Sequence, residues 1–343
     1  MIKNKRLIKD ARLLVESSEW SSLKVFFEYV ENIDDTVIVK NTFRGRDGQI
    51  IRKTIDTKIP HELVDKIMIW FKMFMPEYFT SESPEFHRYI IALNLSKGNA
   101  YFAAPRGFSK TTLLQGLISF LVAHKMERYI VLIEKSSTEA SEVLDSVREL
   151  FKTSPRIFQV YGDLFKTTET LSMNSKAAKE LDREGDFFIN GVRIKGKGFE
   201  TNIRGLKSKD SRPTLIICDD IEKDEHIDNP DMRAKYMSRF TRSIMPALAK
   251  DVGRVKVQGT ILHLDSLLMN YIEQHDGCVF RAYYTEDRVE FKDVDLPVEI
   301  HNNLKVKLVW ASRWTWDDLM KKKDEMKSQV GAFVQEFLND PAG

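Results

Sequence analysis

The stretch Ala104-Pro105-Arg106-Gly107-Phe108-Ser109-Lys110-Thr111-Thr112 carries the residue types that hold a polyphosphate. It follows the apolar run Tyr101 to Ala104 and precedes a longer one, Leu113 to Ala123, so it reads as strand, tight loop and buried helix. At such a junction the backbone N–H groups and the helix N-terminus face an anion. Lys110 adds a point charge, and the Thr111 hydroxyl can reach Mg²⁺. The usual spacing has glycine where this chain has Ala104 and Ser109, while Lys110 and Thr111 stand in place. Arg106, four residues before Lys110, could bridge phosphate oxygens and stabilise transition-state charge. It could equally pair with a carboxylate and shape the loop.

A second set of residues strengthens the nucleotide reading. Leu215-Ile216-Ile217-Cys218 ends in Asp219-Asp220-Ile221-Glu222. Carboxylates at the C-terminal end of a buried parallel strand lie where ligands bind in open α/β sheets. Asp219 can hold Mg²⁺, often through water, and Asp220 or Glu222 can position and polarise an attacking water. Three acids in four positions after a phosphate loop point to catalysis rather than to a helix cap. A third strand, Val255 to Gln258, ends in Gly259-Thr260, whose hydroxyl could sense a γ-phosphate and relay its loss.

The elements that must position these groups follow from the apolar pattern. Tyr129 to Ile133, Thr214 to Cys218 and Val255 to Gln258 read as parallel strands; Ser137 to Phe151 and Met232 to Leu248 read as helices between them. Residues 1 to about 32 carry a helical apolar stripe. Thr36 to Val39 and Gln49 to Arg52 flank an Asp-Gly turn, a hairpin signal. The expected division is 1–60 as an N-terminal appendage, 61–280 as the phosphate-loop core and 281–343 as a lid and linker. The basic stretch from Arg193 to Arg212 reads as a loop that is either solvated or set against a phosphate backbone. His263 and Asp265 suit a local hydrogen bond better than a metal, and Trp310, Trp314 and Trp316 suit packing better than base stacking.

Composition bounds the rest. The 343 residues are 42% hydrophobic and carry a net charge of +2, so global charge neither favours nor excludes a nucleic-acid partner. Cys218 and Cys278 offer neither a disulfide framework nor metal-ligand spacing, which fits a reducing cytoplasm. No apolar run approaches the length of a membrane span, and no signal peptide is visible.

With these residues in view, the chain from about 61 to 343 resembles the ATPase part of a tailed-phage terminase large subunit, the DNA-packaging motor protein. Pro76-Glu77-Tyr78-Phe79 with Phe86-His87 is similar to the segment leading into the family's nucleotide site. Pro105 to Thr111 is similar to its deviant phosphate loop. Ile203-Arg204-Gly205, Arg212-Pro213, Asp219 to Glu222, and Gly259-Thr260 with His263 and Asp265 come in family order. Gly331 to Pro341 is similar to the link into a nuclease domain.

The resemblance implies a RecA-like P-loop ATPase of the additional-strand type, with ATP and Mg²⁺ as cofactors. It also implies a homo-oligomeric ring docked on a portal protein, a small terminase subunit that delivers DNA, and translocation of double-stranded DNA in the host cytoplasm. Arg106 would be a cis arginine finger, unless a neighbouring subunit supplies one in trans. Family members continue into an RNase H-like nuclease; this chain stops where that domain would begin, so the expectation is a motor part without nuclease activity. Asp220 stands where many members have glutamate, and its shorter side chain moves the expected water-positioning role toward Glu222. The alternatives are a nucleotide-gated docking module with weak hydrolysis and a helicase of related fold.

Overall fold

The computed structural model describes residues 34–166, 184–203, 206, 211–329 and 331–341. The expected helix over 1 to about 32, and Arg204-Gly205 with Lys207 and Lys209 of the basic stretch, lie outside the described residues.

A seven-stranded sheet forms the centre. Its strands are β3 (Ala100–Ala103), β4 (Tyr129–Glu134), β5 (Asp186–Ile189), β6 (Val192–Gly198), β7 (Leu215–Asp219), β8 (Arg254–Gly259) and β9 (Gly277–Val279), in the order β5-β6-β4-β7-β8-β3-β9. All neighbours run parallel except β5, which pairs antiparallel with β6. The inner strands β3, β4 and β7 are apolar at nearly every position because helices cover both faces, while β8 alternates Val255 and Val257 with buried Arg254, Lys256 and Gln258. Ile130, Leu132, Leu215 and Ile217 enter one core, while Tyr129, Val131, Ile133, Ile216 and Cys218 enter the other. Strand β8 lies between β3, which leads into the phosphate loop, and β7, which ends in the acids. That inserted strand is the feature the additional-strand expectation requires, and the RecA-like α/β architecture holds.

The first face is covered by α1 (His61–Phe74), α2 (Glu85–Leu95), α3 (Lys110–Ala123) and α4 (Ser137–Thr153). Helix α3 is buried almost all round. It approaches α1 so closely that a Cβ on Gly116 would meet the Phe71 ring at 2.9 Å. Helix α4 starts at a capping box in which Ser136 and Glu139 each bond the other's backbone N–H. After it come α5 (Pro155–Tyr161), the short α6 (Asp224–Ile227) and α7 (Pro230–Arg239). The helix expected over Met232 to Leu248 ends at Arg239 and passes through a π turn, Phe240–Ile244, and a 3₁₀ turn, Met245–Ala247. With α8 (Leu267–Gln274), α7 and these two turns cover the second face, while α5 packs Ile157 into the first core.

The hairpin β1 (Thr36–Arg44) and β2 (Ile50–Pro60) packs Val37, Val39, Ile55 and Ile59 into the first core. The Asn41 side chain donates to Val279 O at 3.0 Å and accepts from Val279 N at 2.8 Å, covering part of the β9 edge. A small sheet of β10 (Tyr283–Thr285), β11 (Glu299–His301) and β12 (Leu304–Leu308) precedes α9 (Trp316–Glu325) and α10 (Ala332–Leu338). The basic stretch is not all loop: Val192–Gly198 is strand β6, and Arg193 and Lys195 both pair with Asp186. Among the described residues, no helix is long and apolar enough to cross a membrane.

Candidate nucleotide site

The C-terminal ends of β3, β4, β7 and β8 share one edge of the sheet, and the predicted residues gather there. Beyond β3 the loop turns through two left-handed positions, Gly107 at φ 75° and Ser109 at φ 64°. Gly107 also lies against the Trp314 ring, 3.2 Å from where a Cβ would stand. Ser109 occupies a conformation that favours glycine, at a place where the common pattern has one. Ala104, at the first pattern glycine, is buried, and its N–H donates to Gly259 O at 3.0 Å.

Pro105 is buried. Phe108 turns its ring into the core, parallel to Trp314 at 5.8 Å, and its carbonyl lies 3.2 Å from His87 Nε2. Burial of His87 pushes its pKa down to about 4, so the ring is neutral at physiological pH. Only the Phe108 backbone can therefore serve a phosphate. Lys110, Thr111 and Thr112 form the first turn of α3, where helix geometry leaves N–H groups without intrahelical acceptors.

Lys110 is buried and folds back on its own loop, donating to Ala104 O at 2.7 Å and Pro105 O at 3.3 Å, with Thr260 Oγ1 at 3.4 Å. Thr111 Oγ1 donates to Asp219 Oδ2 at 3.2 Å, and Gln258 Nε2 donates to Asp219 Oδ1 at 2.9 Å. Lys110, Thr111, Asp219 and Thr260 therefore converge. Burial first, and the neighbouring Asp220 carboxylate second, push Asp219 up to about 6; Gln258, Lys110 and Thr111 oppose the shift.

The other two acids are held. Asp220 sits at φ 43°, and its Oδ1 accepts from Thr260 N at 3.0 Å. Gly259 permits this, since a Cβ there would stand 2.9 Å from Asp220 Oδ1. Glu222 is buried with both oxygens bonded to the start of α8, accepting from Leu267 N at 2.7 Å and Leu268 N at 3.1 Å. Burial raises Glu222 to about 7, and those two amides oppose the rise.

Arg106 is exposed and takes the carboxylate-pairing option that its sequence left open. Its guanidinium bonds Glu336 Oε1 on α10 at 3.0 Å, and its N–H donates to Glu336 O at 2.9 Å. A cavity of about 180 Å³ opens between Arg106, Glu336, Asp220, Glu222, Gln258 and Thr260. His263 accepts from Asp265 N through Nδ1 at 2.9 Å, a local bond, and Asp265 pairs with Arg233 and Arg46.

Two residues at this edge escaped the sequence reading. Gln258 is buried beside Asp219, and its Oε1 makes no hydrogen bond among the described residues. Glu134 is the last residue of β4 and is also buried. Burial, then the Asp219 and Asp220 carboxylates, push it up to about 10. The available signal was the one used for Asp219: an acid ending a wholly apolar strand.

The donor set suits Mg²⁺. No group of three His, Cys, Asp or Glu gathers among the described residues. Mg²⁺ at a phosphate site asks for one or two protein oxygens, with water and phosphate completing its shell. Thr111 Oγ1, half-buried, and Asp219 Oδ2, buried, meet at the mouth of the loop and are such a pair.

Neither a protein-family model nor a curated protein matches the sequence. Solved structures do match. The chain is similar to phage large terminases. The bacteriophage HK97 large terminase superposes with a TM-score of 0.44 over 74% of this chain at 15% identity. This chain spans 50% of that terminase. The Thermus phage P74-26 large terminase ATPase domain gives 0.37 at 12% identity, over 73% of this chain and 91% of the domain. An arginine-to-alanine mutant of that domain gives 0.43 at 14% identity, over 73% and 92%. At this distance the likeness to terminases transfers no residue's role.

Proposed function

We propose that this chain is an Mg²⁺-dependent ATPase that drives double-stranded DNA into a viral procapsid, as the motor part of a terminase large subunit. The observation that carries the ATPase reading is the convergence of Lys110, Thr111, Asp219 and Thr260 at the edge where β3, β7 and β8 end. The DNA-packaging reading rests on the ordered motif set from Pro76 to Pro341.

In the proposed reaction Lys110 leaves the Ala104 and Pro105 carbonyls for the phosphates, trading neutral acceptors for charged ones. The amides of the first turn of α3 hold the same oxygens. Thr111 and Asp219 hold Mg²⁺, which would neutralise phosphate charge when bound. Thr260, tied through its N–H to Asp220 and near Lys110 through its hydroxyl, reads whether a γ-phosphate is there. Arg106 must leave Glu336 to act in cis; otherwise a neighbour in a ring supplies the arginine. The partners proposed are duplex DNA, a portal protein and a small terminase subunit.

The test is steady-state phosphate release with and without duplex DNA. Stimulation by DNA supports the motor. Nucleotide binding without turnover supports the docking-module alternative, which the Arg106–Glu336 pair favours by holding the arginine away from the loop. Lys110→Ala should abolish turnover, and a near wild-type rate in that variant would refute the loop assignment.

A further inference from the structure

We propose that Glu134, at the end of β4, is the carboxylate that orients the attacking water and receives its proton. The inference rests on the ATPase reading above and assigns to β4 the role expected of Asp220 or Glu222.

Register gives the first argument. Strand β4 pairs with β7 so that Ile133 stands opposite Cys218, and β7 pairs with β8 so that Asp219 stands opposite Gln258. One step on, Glu134 is level with Asp219, at the spacing of adjacent strands, about 4.8 Å. Strand alternation puts all three on one face. Glu134 follows Ile130 and Leu132, Asp219 follows Leu215 and Ile217, and these four apolar residues enter the core beneath α3. On the other flank of Glu134 the paired residue is Gly198, which has no side chain to meet it. Glu134, Asp219 and Gln258 therefore form a polar row at the top of the sheet, under the N-terminus of the helix that begins with Lys110.

Bonding gives the second. Asp219 and Glu222 have both oxygens bonded, Asp219 to Thr111 and Gln258 and Glu222 to two α8 amides, while Asp220 is tied through Oδ1 alone to Thr260 N. The Glu134 carboxylate has no hydrogen bond or ion pair among the described residues, although the residue is only 7% exposed. A side chain so far buried at a ligand-binding edge, with no partner for its carboxyl group among the described residues, is available to a group that is not always present. Gln258 adds a second idle acceptor in the same row, its Oε1. A water held on Glu134 would donate to it and present its lone pair to the phosphate.

The step balances without a further reagent. The water oxygen forms a bond to the γ-phosphorus, and the bond from that phosphorus to the β–γ bridging oxygen breaks. ADP leaves with that electron pair, and the water proton passes to Glu134 and then to phosphate or solvent.

The experiment compares Glu134→Gln, Glu134→Asp, Glu222→Gln and Lys110→Ala in the full chain, measuring phosphate release, fluorescent-ATP binding and Tm. The expected result is that Glu134→Gln binds ATP within about threefold of wild type, melts no lower, and releases phosphate at least ~100-fold more slowly. Glu134→Asp, which keeps the charge but withdraws it, should show the same split and covers the case in which the Gln variant does not fold. A folded Glu134→Gln or Glu134→Asp that turns over within about threefold of wild type overturns the proposal and leaves the ATPase reading standing. A wild-type chain without hydrolysis, or a Lys110→Ala chain that binds ATP normally, overturns the ATPase reading itself.

Discussion

Replacing Ser109 with glycine should stabilise the protein. Ser109 holds φ 64°, a conformation that costs an L-residue about 1–2 kcal/mol. Its side chain makes no capping hydrogen bond at the start of α3, so removing the hydroxyl breaks nothing. Glycine removes the strain but adds freedom to the unfolded chain, which offsets about 0.4–1 kcal/mol. The difference is a gain of about 1 kcal/mol, or roughly 2 °C in Tm for a domain of this size. Ser109→Val works in the opposite direction, because a β-branched residue at positive φ is an outlier worth a further ~1–3 kcal/mol. Thermal melts of the three proteins test the order Gly above Ser above Val. A Ser109→Gly protein that melts below wild type, or a Val variant that melts with it, would show that the loop does not hold this conformation in solution. Fluorescent-ATP affinity should change by less than about threefold in the Gly variant, since the loop already has the shape that glycine permits.

Glu336→Gln should release Arg106 at little cost. Arg106 is 73% exposed although Glu336 is only 16% exposed, so solvent screens the pair to about 1 kcal/mol or less and Tm should move by under about 2 °C. Turnover should rise by up to about fivefold where Arg106 acts within its own subunit, and a fall in turnover with Tm unchanged would overturn Glu336 as a holder. Glu222 contributes a pH dependence of definite sign. Its pKa is raised on folding to about 7, so the folded protein binds the extra proton, and the associated stability is present below about 4.5 and is lost as pH rises through 7. The Tm of wild type should therefore fall relative to Glu222→Gln across that window, and parallel profiles would refute the shift. Gly116→Val should destabilise by about 1–3 kcal/mol through its clash with Phe71, read as a lower denaturant midpoint; an unchanged midpoint would mean that α1 and α3 sit further apart.

The parts of this fold that a linear reading reached are those with a local signature. The runs ending at Ile133 and Cys218 are buried on both faces, so they are apolar throughout and stand out. Lys110 and Thr111 sit at a fixed offset from a strand end, and Asp219 ends another. What stayed hidden depends on pairing between strands remote in sequence. Glu134 gains its place only because β4 lies against β7. Gln258 looked like part of an apolar strand until the register set it against Asp219. The two bonds of Glu222 come from α8, more than forty residues further on, and nothing around Glu222 announces them. The basic stretch after Arg193 misled because Asp186, which pairs with two of its cations, lies on the preceding strand.

Helix α10 grips two places at once. Through Glu336 it holds both the backbone and the side chain of Arg106 on the phosphate loop. Just beyond β8, Asn339 accepts from Ile261 N and Gln335 donates to Leu262 O. Seven residues of helix make a strut of about 10 Å, too short to bend. A displacement of the chain after Thr260 therefore cannot stay where it starts: it must drag the arginine, or tear one end of the strut loose. Either way, a shift at one strand tip is shared with the phosphate loop on the far side of the helix.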